Sequence, residues 1–369
     1  QAVAEQHQIP VVETIAGRSC LTWDHPLNCG PIGPTGSDSA NALAAQADVV
    51  IAIGTRLQDF VTGSWSAFRN EAMQLISINT GRFDAYKHRA LPGIADAKAR
   101  MTPLTQLLGD YQTDTSWQAT ASQERSAWLG IVEARTAATD TSLPSYAQII
   151  GQVNKLAADN DRIVTAAGGL PAELNMNWLA RSRGNFDVEF GFSCMGYEVA
   201  GGWGASIACP DNDVIVLVGD GSYLIMNSDI YSSVLTGHKM IVIVCDNAGF
   251  AVINKLQKNT GNDAFNNQLR DCTTVRKQTE LPRVDFAKHA ESLGAHSEKV
   301  GHLNDFAAAF ERAKAADRTA VIVVDIDETQ WSSVDTWWEV GLPQASEKPS
   351  VQAAMASWDE GRQHQRKGV

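Results

Sequence analysis

Two apolar runs in this chain end on side chains that can hold a hard cation. Val214–Val218 is closed by Gly219-Asp220-Gly221-Ser222, and Met240–Cys245 by Asp246-Asn247. Asp220 and Asn247 lie 27 positions apart. If the runs are parallel strands joined by a helix, both side chains emerge at one carboxyl edge of a sheet, where open α/β sheets bind ligands. A carboxylate and an amide oxygen suit Mg²⁺, which takes few protein ligands and fills its octahedron with phosphate oxygens and water. The flanking glycines let the backbone approach such phosphates closely. Gly-Asp-Gly alone is ordinary turn chemistry. The second strand end and the intervening helix carry the cation reading.

The elements that must place these residues alternate between strand and helix, which implies parallel sheets. Before residue 113 the strand candidates are Pro10–Thr14, Val49–Gly54 and Leu75–Asn79, with helix Ser39–Ala47 between them. Residues 113–143 are rich in Thr, Ser, Ala and Gln, with a helical patch at Glu124–Arg135, and read as a connection. From residue 144 to 345, Ser145 is a candidate N-cap for helix Tyr146–Ala158. Strands Arg162–Ala166, Val214–Val218, Met240–Cys245 and Ala320–Ile326 alternate with helices Asn227–Leu235, Asp285–Leu293 and Asp305–Ala316. The expected fold is α/β, two doubly wound parallel-sheet domains (1–112 and 144–345), with a polar tail at 346–369.

Composition narrows the class. The 369 residues are too many for one ordinary core. With 44% hydrophobic and 20% charged residues the chain reads as globular, and no apolar run approaches a membrane span. A net charge of −12 argues against nucleic acid as a partner. The six cysteines (Cys20, Cys29, Cys194, Cys209, Cys245, Cys272) contain no CxxC pair and read as free thiols, mostly buried, of a cytoplasmic protein. Gly30-Pro-Ile-Gly33-Pro-Thr-Gly36 has dinucleotide-like spacing but no clear strand before it, and reads as a structural loop. The first residues, Gln1–Pro10, read as the end of a helix entering a strand, as though the chain starts inside a longer polypeptide.

Gly-Asp-Gly followed by Asn under thirty residues later resembles the motif of thiamine-diphosphate enzymes of the acetolactate-synthase-like superfamily. Gly54-Thr55-Arg56-Leu57 is similar to a segment shared across that superfamily. Gln58-Asp59-Phe60, Gly63-Ser64-Trp65, Ile253-Asn254 and Leu256-Gln257 resemble a hydrolytic branch whose members open a cyclic 1,2-dione. The resemblance covers nearly the whole chain and implies a middle domain followed by a diphosphate-binding domain. It further implies Mg²⁺ on Asp220, Asn247 and the Gly249 carbonyl, and diphosphate on backbone of Gly168, Gly169, Gly219, Gly221 and Ser222. Met195 would prop the cofactor in a bent shape, and the Ser193 carbonyl would receive its amino group. A cyclic polyhydroxy-dione substrate is implied, and so is a homo-oligomer, dimer or tetramer, in which the pyrimidine-binding domain of another subunit completes the site. Carboligation or decarboxylation by the same cofactor residues, or a non-catalytic half of a split enzyme, are the alternative readings.

Two departures matter. The family often carries Asn-Asn at the second ligand position, where this chain has Asp246-Asn247. The glutamate that activates the cofactor belongs, in that family, to an N-terminal domain, and no residue here matches it; Glu13 follows a strand but sits in the wrong domain. Trp337-Trp338-Glu339 is a candidate for the substrate pocket, with packing at a domain edge as the plainer reading.

Overall fold

The computed structural model describes residues 1–139, 143–271 and 283–366. Cys272 and Lys367 lie outside the described residues. Contacts divide the chain into two units. The first comprises residues 1–132 and 333–369, the second 133–332. The sequence reading carries the second domain on to residue 345, whereas the contacts return to the first unit at Ser333.

The second unit is built on a six-stranded parallel sheet. Its strands are β6 (Arg162–Thr165), β7 (Phe186–Val188), β8 (Val214–Gly219), β9 (Ile241–Asp246), β10 (His296–Val300) and β11 (Ala320–Asp325). They lie in the order β10-β11-β9-β8-β6-β7. The central strands read as unbroken apolar runs because helices cover both faces of the sheet. Ile215, Leu217, Ile241 and Ile243 pack on one side, and Val214, Val216, Val218, Val242 and Val244 on the other. Burying each such side chain stabilises the fold by roughly 1.5–3 kcal/mol. From β6 the chain moves outward to β7, then returns across β6 to β8. That reversal opens a crevice at the carboxyl ends of β6 and β8, the usual ligand position in such sheets.

The first unit holds two smaller parallel sheets. β1 (Val11–Glu13) pairs with β2 (Asn28–Pro31), and β3 (Val49–Ile53), β4 (Gln74–Asn79) and β5 (Leu91–Ile94) pair in chain order. β2 corrects the expectation that no strand precedes the glycine-rich loop. Its residues, Asn-Cys-Gly-Pro, have almost no strand propensity, and tertiary pairing overrides it. The loop nevertheless remains structural: the Asn41 side chain accepts from the Gly33 N–H (2.9 Å) and donates to the Gly33 carbonyl (3.1 Å). Glu13 is buried in an ion pair with Arg18 and accepts the Leu21 N–H, which gives it a structural role. Helix Thr115–Thr136 fills most of the segment read as a connection.

The C-terminal segment straps across residues 58–66 of the first unit. The Trp338 indole donates to Asp59 (2.7 Å) and its ring meets Phe60 edge-on at 5.2 Å. Ser66 donates to the Trp337 carbonyl (2.9 Å), and the Glu339 N–H donates to Ser64 (2.9 Å). Gly63 has φ 56°, and a Cβ there would fall 2.5 Å from Thr336 and 2.7 Å from the Trp337 carbonyl. Trp337-Trp338-Glu339 therefore packs within the first unit, seated on Asp59, Phe60, Gly63, Ser64 and Ser66.

Candidate active site at the carboxyl edge of the sheet

The sequence-predicted residues fall on four loops at the carboxyl ends of β6, β7, β8 and β9. Gly168 and Gly169 follow β6; Ser193 and Met195 follow β7; Gly219 ends β8 and leads into Asp220, Gly221 and Ser222; Asn247 and Gly249 follow β9. β8 and β9 are in register with Gly219 opposite Cys245, which sets Asp220 beside Asp246. Strand β9 runs one residue beyond the predicted run, so Asp246 belongs to the sheet and Asn247 to the loop.

Asp220 is buried at the start of helix Asp220–Ile225. Its Oδ2 accepts the Gly249 N–H at 2.8 Å, while Oδ1 is buried with no hydrogen-bond partner. Burial, with the neighbouring Asp246 carboxylate second, pushes the Asp220 carboxyl up to about 7. Asp246 itself is engaged: one oxygen accepts the Ala248 N–H (2.9 Å) and the other an Arg283 guanidinium N–H (3.0 Å). Asn247 is also buried. Its Nδ2 donates to the Tyr146 hydroxyl, and its Oδ1 has no partner. Two buried oxygens without donors, on adjacent strand ends, are costly unless something binds them. One is a carboxylate and one an amide, an all-oxygen set that fits a hard cation. Among the described residues no group of three or more His, Cys, Asp or Glu could hold a metal ion.

Gly249 closes this loop for steric reasons. Its φ is 149°, and a Cβ would fall 2.5 Å from the Asn267 carbonyl oxygen. The Phe250 N–H donates to that same carbonyl (2.7 Å), and Leu269 N–H to the Ala248 carbonyl (2.9 Å), pinning the loop against residues 267–269. The Gln268 amide, turned with its NH₂ inward, reaches the Ala248 carbonyl at 3.0 Å and the Asn247 carbonyl at 3.2 Å.

On the other side of the crevice, Gly168 has φ 85° and precedes helix Gly169–Asn177. The Trp331 ring lies so close to Gly169 that a Cβ there would be 2.3 Å from it. Trp331 also packs on Tyr146 at 5.5 Å. Ser332 then donates twice to the buried Glu173 of that helix, from N–H and hydroxyl, both at 2.7 Å. Met195 is half-buried and Ser193 exposed, in a turn shaped by Glu189, which accepts the N–H groups of Phe192 (2.9 Å) and Cys194 (2.6 Å). Of the described cysteines, all free, only Cys29 and Cys245 are buried; Cys20 and Cys194 are exposed, against the expectation of mostly buried thiols.

Three residues that sequence reasoning missed support this edge. Tyr146, the first residue of helix Tyr146–Leu156, is set by a capping box between Ser145 and Gln148 and holds the Asn247 amide. Its partner lies 101 positions away, so spacing offers no signal. Trp331 likewise acts at long range. Glu198 did leave a signal: it is a lone acid in the apolar, glycine-rich helix Tyr197–Ala208, and it is buried.

Comparison with known proteins bears on what this edge binds. Residues 1–104 match the family described as thiamine pyrophosphate enzyme, central domain, and residues 168–324 match thiamine pyrophosphate enzyme, C-terminal TPP binding domain. The chain is 34% identical over 390 residues to 3D-(3,5/4)-trihydroxycyclohexane-1,2-dione hydrolase of Geobacillus thermodenitrificans, covering 99% of this chain and 60% of that protein. It is 34% identical to the protein of that name from Bacillus cereus strain AH820, covering 96% of this chain and 59% of the other. The chain thus spans about 60% of the length of these relatives. The four loops described above fall inside the segment matched to the TPP binding domain. The chain belongs to the thiamine pyrophosphate enzymes, of which it carries the central domain and the C-terminal cofactor-binding domain.

Proposed function

We propose that the carboxyl edge of the six-stranded sheet binds thiamine diphosphate through Mg²⁺, and that the polypeptide containing this chain hydrolyses a carbon–carbon bond of a polyhydroxylated cyclic 1,2-dione. The observation that carries the cofactor reading is the pair of unpartnered, buried oxygens on Asp220 and Asn247. Asp220, Asn247 and the Gly249 carbonyl would hold the cation. Backbone of Gly168, Gly169, Gly219, Gly221 and Ser222 would receive the diphosphate, and Ser193 and Met195 the other half of the cofactor. When bound, thiamine diphosphate supplies an electron sink for carbon–carbon cleavage. The residues of this chain bind and orient it and exclude water beneath it, with the buried Tyr146 and the half-buried Trp331 as support.

The names of the relatives, whose similarity runs along nearly the whole chain, support this choice of reaction. Adding water across the bond between two carbonyls leaves a carboxylic acid at one carbon and an aldehyde at the other, an open-chain deoxy-uronic acid. A second subunit is part of the proposal. Phe192, Leu224, Ile225 and Phe250 are exposed next to site residues in the chain, which suits an apolar covering domain.

The test is to supply thiamine diphosphate and Mg²⁺ to the longest natural polypeptide containing this chain, with the cyclic dione and with pyruvate in separate reactions. Mass spectrometry is expected to show a water-added, ring-opened acid from the dione. Consumption of pyruvate with no ring opening would favour carboligation or decarboxylation instead.

A further inference from the structure

Glu198 is a buried carboxylate that touches three of the four loops at once. Its oxygens accept the Ala167 N–H (3.1 Å), the Gly196 N–H (2.9 Å) and the Ser222 hydroxyl (2.9 and 2.8 Å). The Ser222 oxygen in turn accepts the Gly196 N–H at 2.7 Å. Each partner adjoins or is a residue assigned to the cofactor: Ala167 precedes Gly168-Gly169, Gly196 follows Met195, and Ser222 closes the Gly-Asp-Gly turn. The three segments come from either side of the point where strand order reverses, after β6, after β7 and after β8.

The chemistry at this point requires an acid. Its hydrogen-bond partners Ala167, Gly196 and Ser222 all donate to it, and only a carboxylate offers acceptor lone pairs on both oxygens. An amide of the same shape would turn its NH₂ against a backbone N–H. No basic side chain figures among its hydrogen-bond partners, and burial raises the carboxyl above its ordinary value. A group so costly to bury does not repay its place through an ion pair; what it achieves is to fix three loops to a common point.

We propose that Glu198 is a positioning residue for the cofactor site, setting the backbone of Gly168-Gly169, the height of Met195 and the first turn at Ser222 relative to one another. The inference rests on the reading that this edge binds thiamine diphosphate. Hydrogen bonds to a charged group are the strong ones, and losing one or two of them predicts about a 10- to 100-fold effect.

The test measures thiamine diphosphate affinity at saturating Mg²⁺ by titration calorimetry, in the longest natural polypeptide containing this chain. The variants are Glu198→Gln, Glu198→Asp, Ser222→Ala and the double variant Glu198→Gln/Ser222→Ala. Glu198→Gln is expected to bind about 10- to 100-fold more weakly, with Glu198→Asp recovering part of the loss because both acceptor oxygens remain. The losses in the double variant should be less than the product of the single ones, because the two residues act through one network. Wild-type affinity in a folded Glu198→Gln, or independent losses in the double variant, would overturn the assignment. If Glu198→Gln does not fold, Glu198→Asp decides: intermediate affinity supports positioning, and unchanged affinity overturns it. Failure of the wild-type protein to bind the cofactor would overturn the reading of the site itself, and this inference with it.

Discussion

At Asp220 and Asn247 the structure turns a sequence motif into a statement about free energy. Asp220 titrates near 7 because burial disfavours its charge, with Asp246 adding to the effect. A carboxyl whose folded pKa is raised favours the folded state most at low pH, and that advantage is lost as pH rises from its ordinary value of 3.8 through about 7. At pH 8 without divalent cation, ionised Asp220 therefore costs up to a few kcal/mol. Asp220→Asn is expected to melt several degrees higher than the parent chain at pH 8 in EDTA, and to lose that advantage at pH 4. Thermal scans at the two pH values check this; equal melting at pH 8 would remove the buried-charge argument. Thiamine diphosphate with Mg²⁺ should raise the melting temperature of the parent and leave Asp220→Asn unmoved. Tyr146→Phe keeps the ring against Trp331 and removes the acceptor for the Asn247 amide. It should weaken Mg²⁺-dependent cofactor binding about three- to tenfold, read by the same titration, and cost about 1–3 kcal/mol of apo stability because the Asn247 N–H is left buried without an acceptor.

At the level of elements, what was legible in the sequence is what periodicity and turn chemistry encode. The runs at Val214–Val218 and Met240–Cys245 are strands because their β-branched residues face cores on both sides. The Ser145 cap was readable because a capping box is local. β2 was not, since Asn-Cys-Gly-Pro owes its extended shape to pairing with β1. His296–Val300, an edge strand in which only Val300 is buried, carries no apolar run to find. The seat of Trp337 and Trp338 was hidden for another reason: more than 270 positions separate the indoles from Asp59 and Ser66. Loops held by backbone contacts make sharp predictions. Gly249→Ala sets a Cβ against the Asn267 carbonyl and is expected to cost about 1–3 kcal/mol and to abolish Mg²⁺-dependent binding. Denaturant melts and calorimetry measure the two separately. A stable variant that binds normally would mean the loop relaxes freely.

For the whole molecule the question is what this chain can do by itself. On the proposed reading it supplies the cation ligands, the diphosphate backbone and the support of Tyr146 and Trp331, and no residue in its sequence matches the activating glutamate that the resemblance implies. Glu13, the acid that most resembles one by following a strand, is neutralised within its own unit by Arg18. Glu173 and Glu198 are buried under hydrogen bonds that use up their oxygens. Phe192 stands 91% exposed beside Ser193, where a second polypeptide surface would cover it. On the proposed reading, the residues of this chain contact the cation, the diphosphate and one face of the cofactor. The polypeptide of these 369 residues is accordingly expected to bind thiamine diphosphate weakly, through Mg²⁺ and the diphosphate, and to show no turnover of the cyclic dione. Adding a pyrimidine-binding domain, on the same chain or on another, should tighten binding and start ring opening, with a cofactor affinity that depends on protein concentration if the domain comes from a second subunit. Calorimetry and product analysis across a dilution series measure both. Full turnover by these residues alone would show that an acid within them activates the cofactor, and would redirect the search to the carboxylates of the second unit.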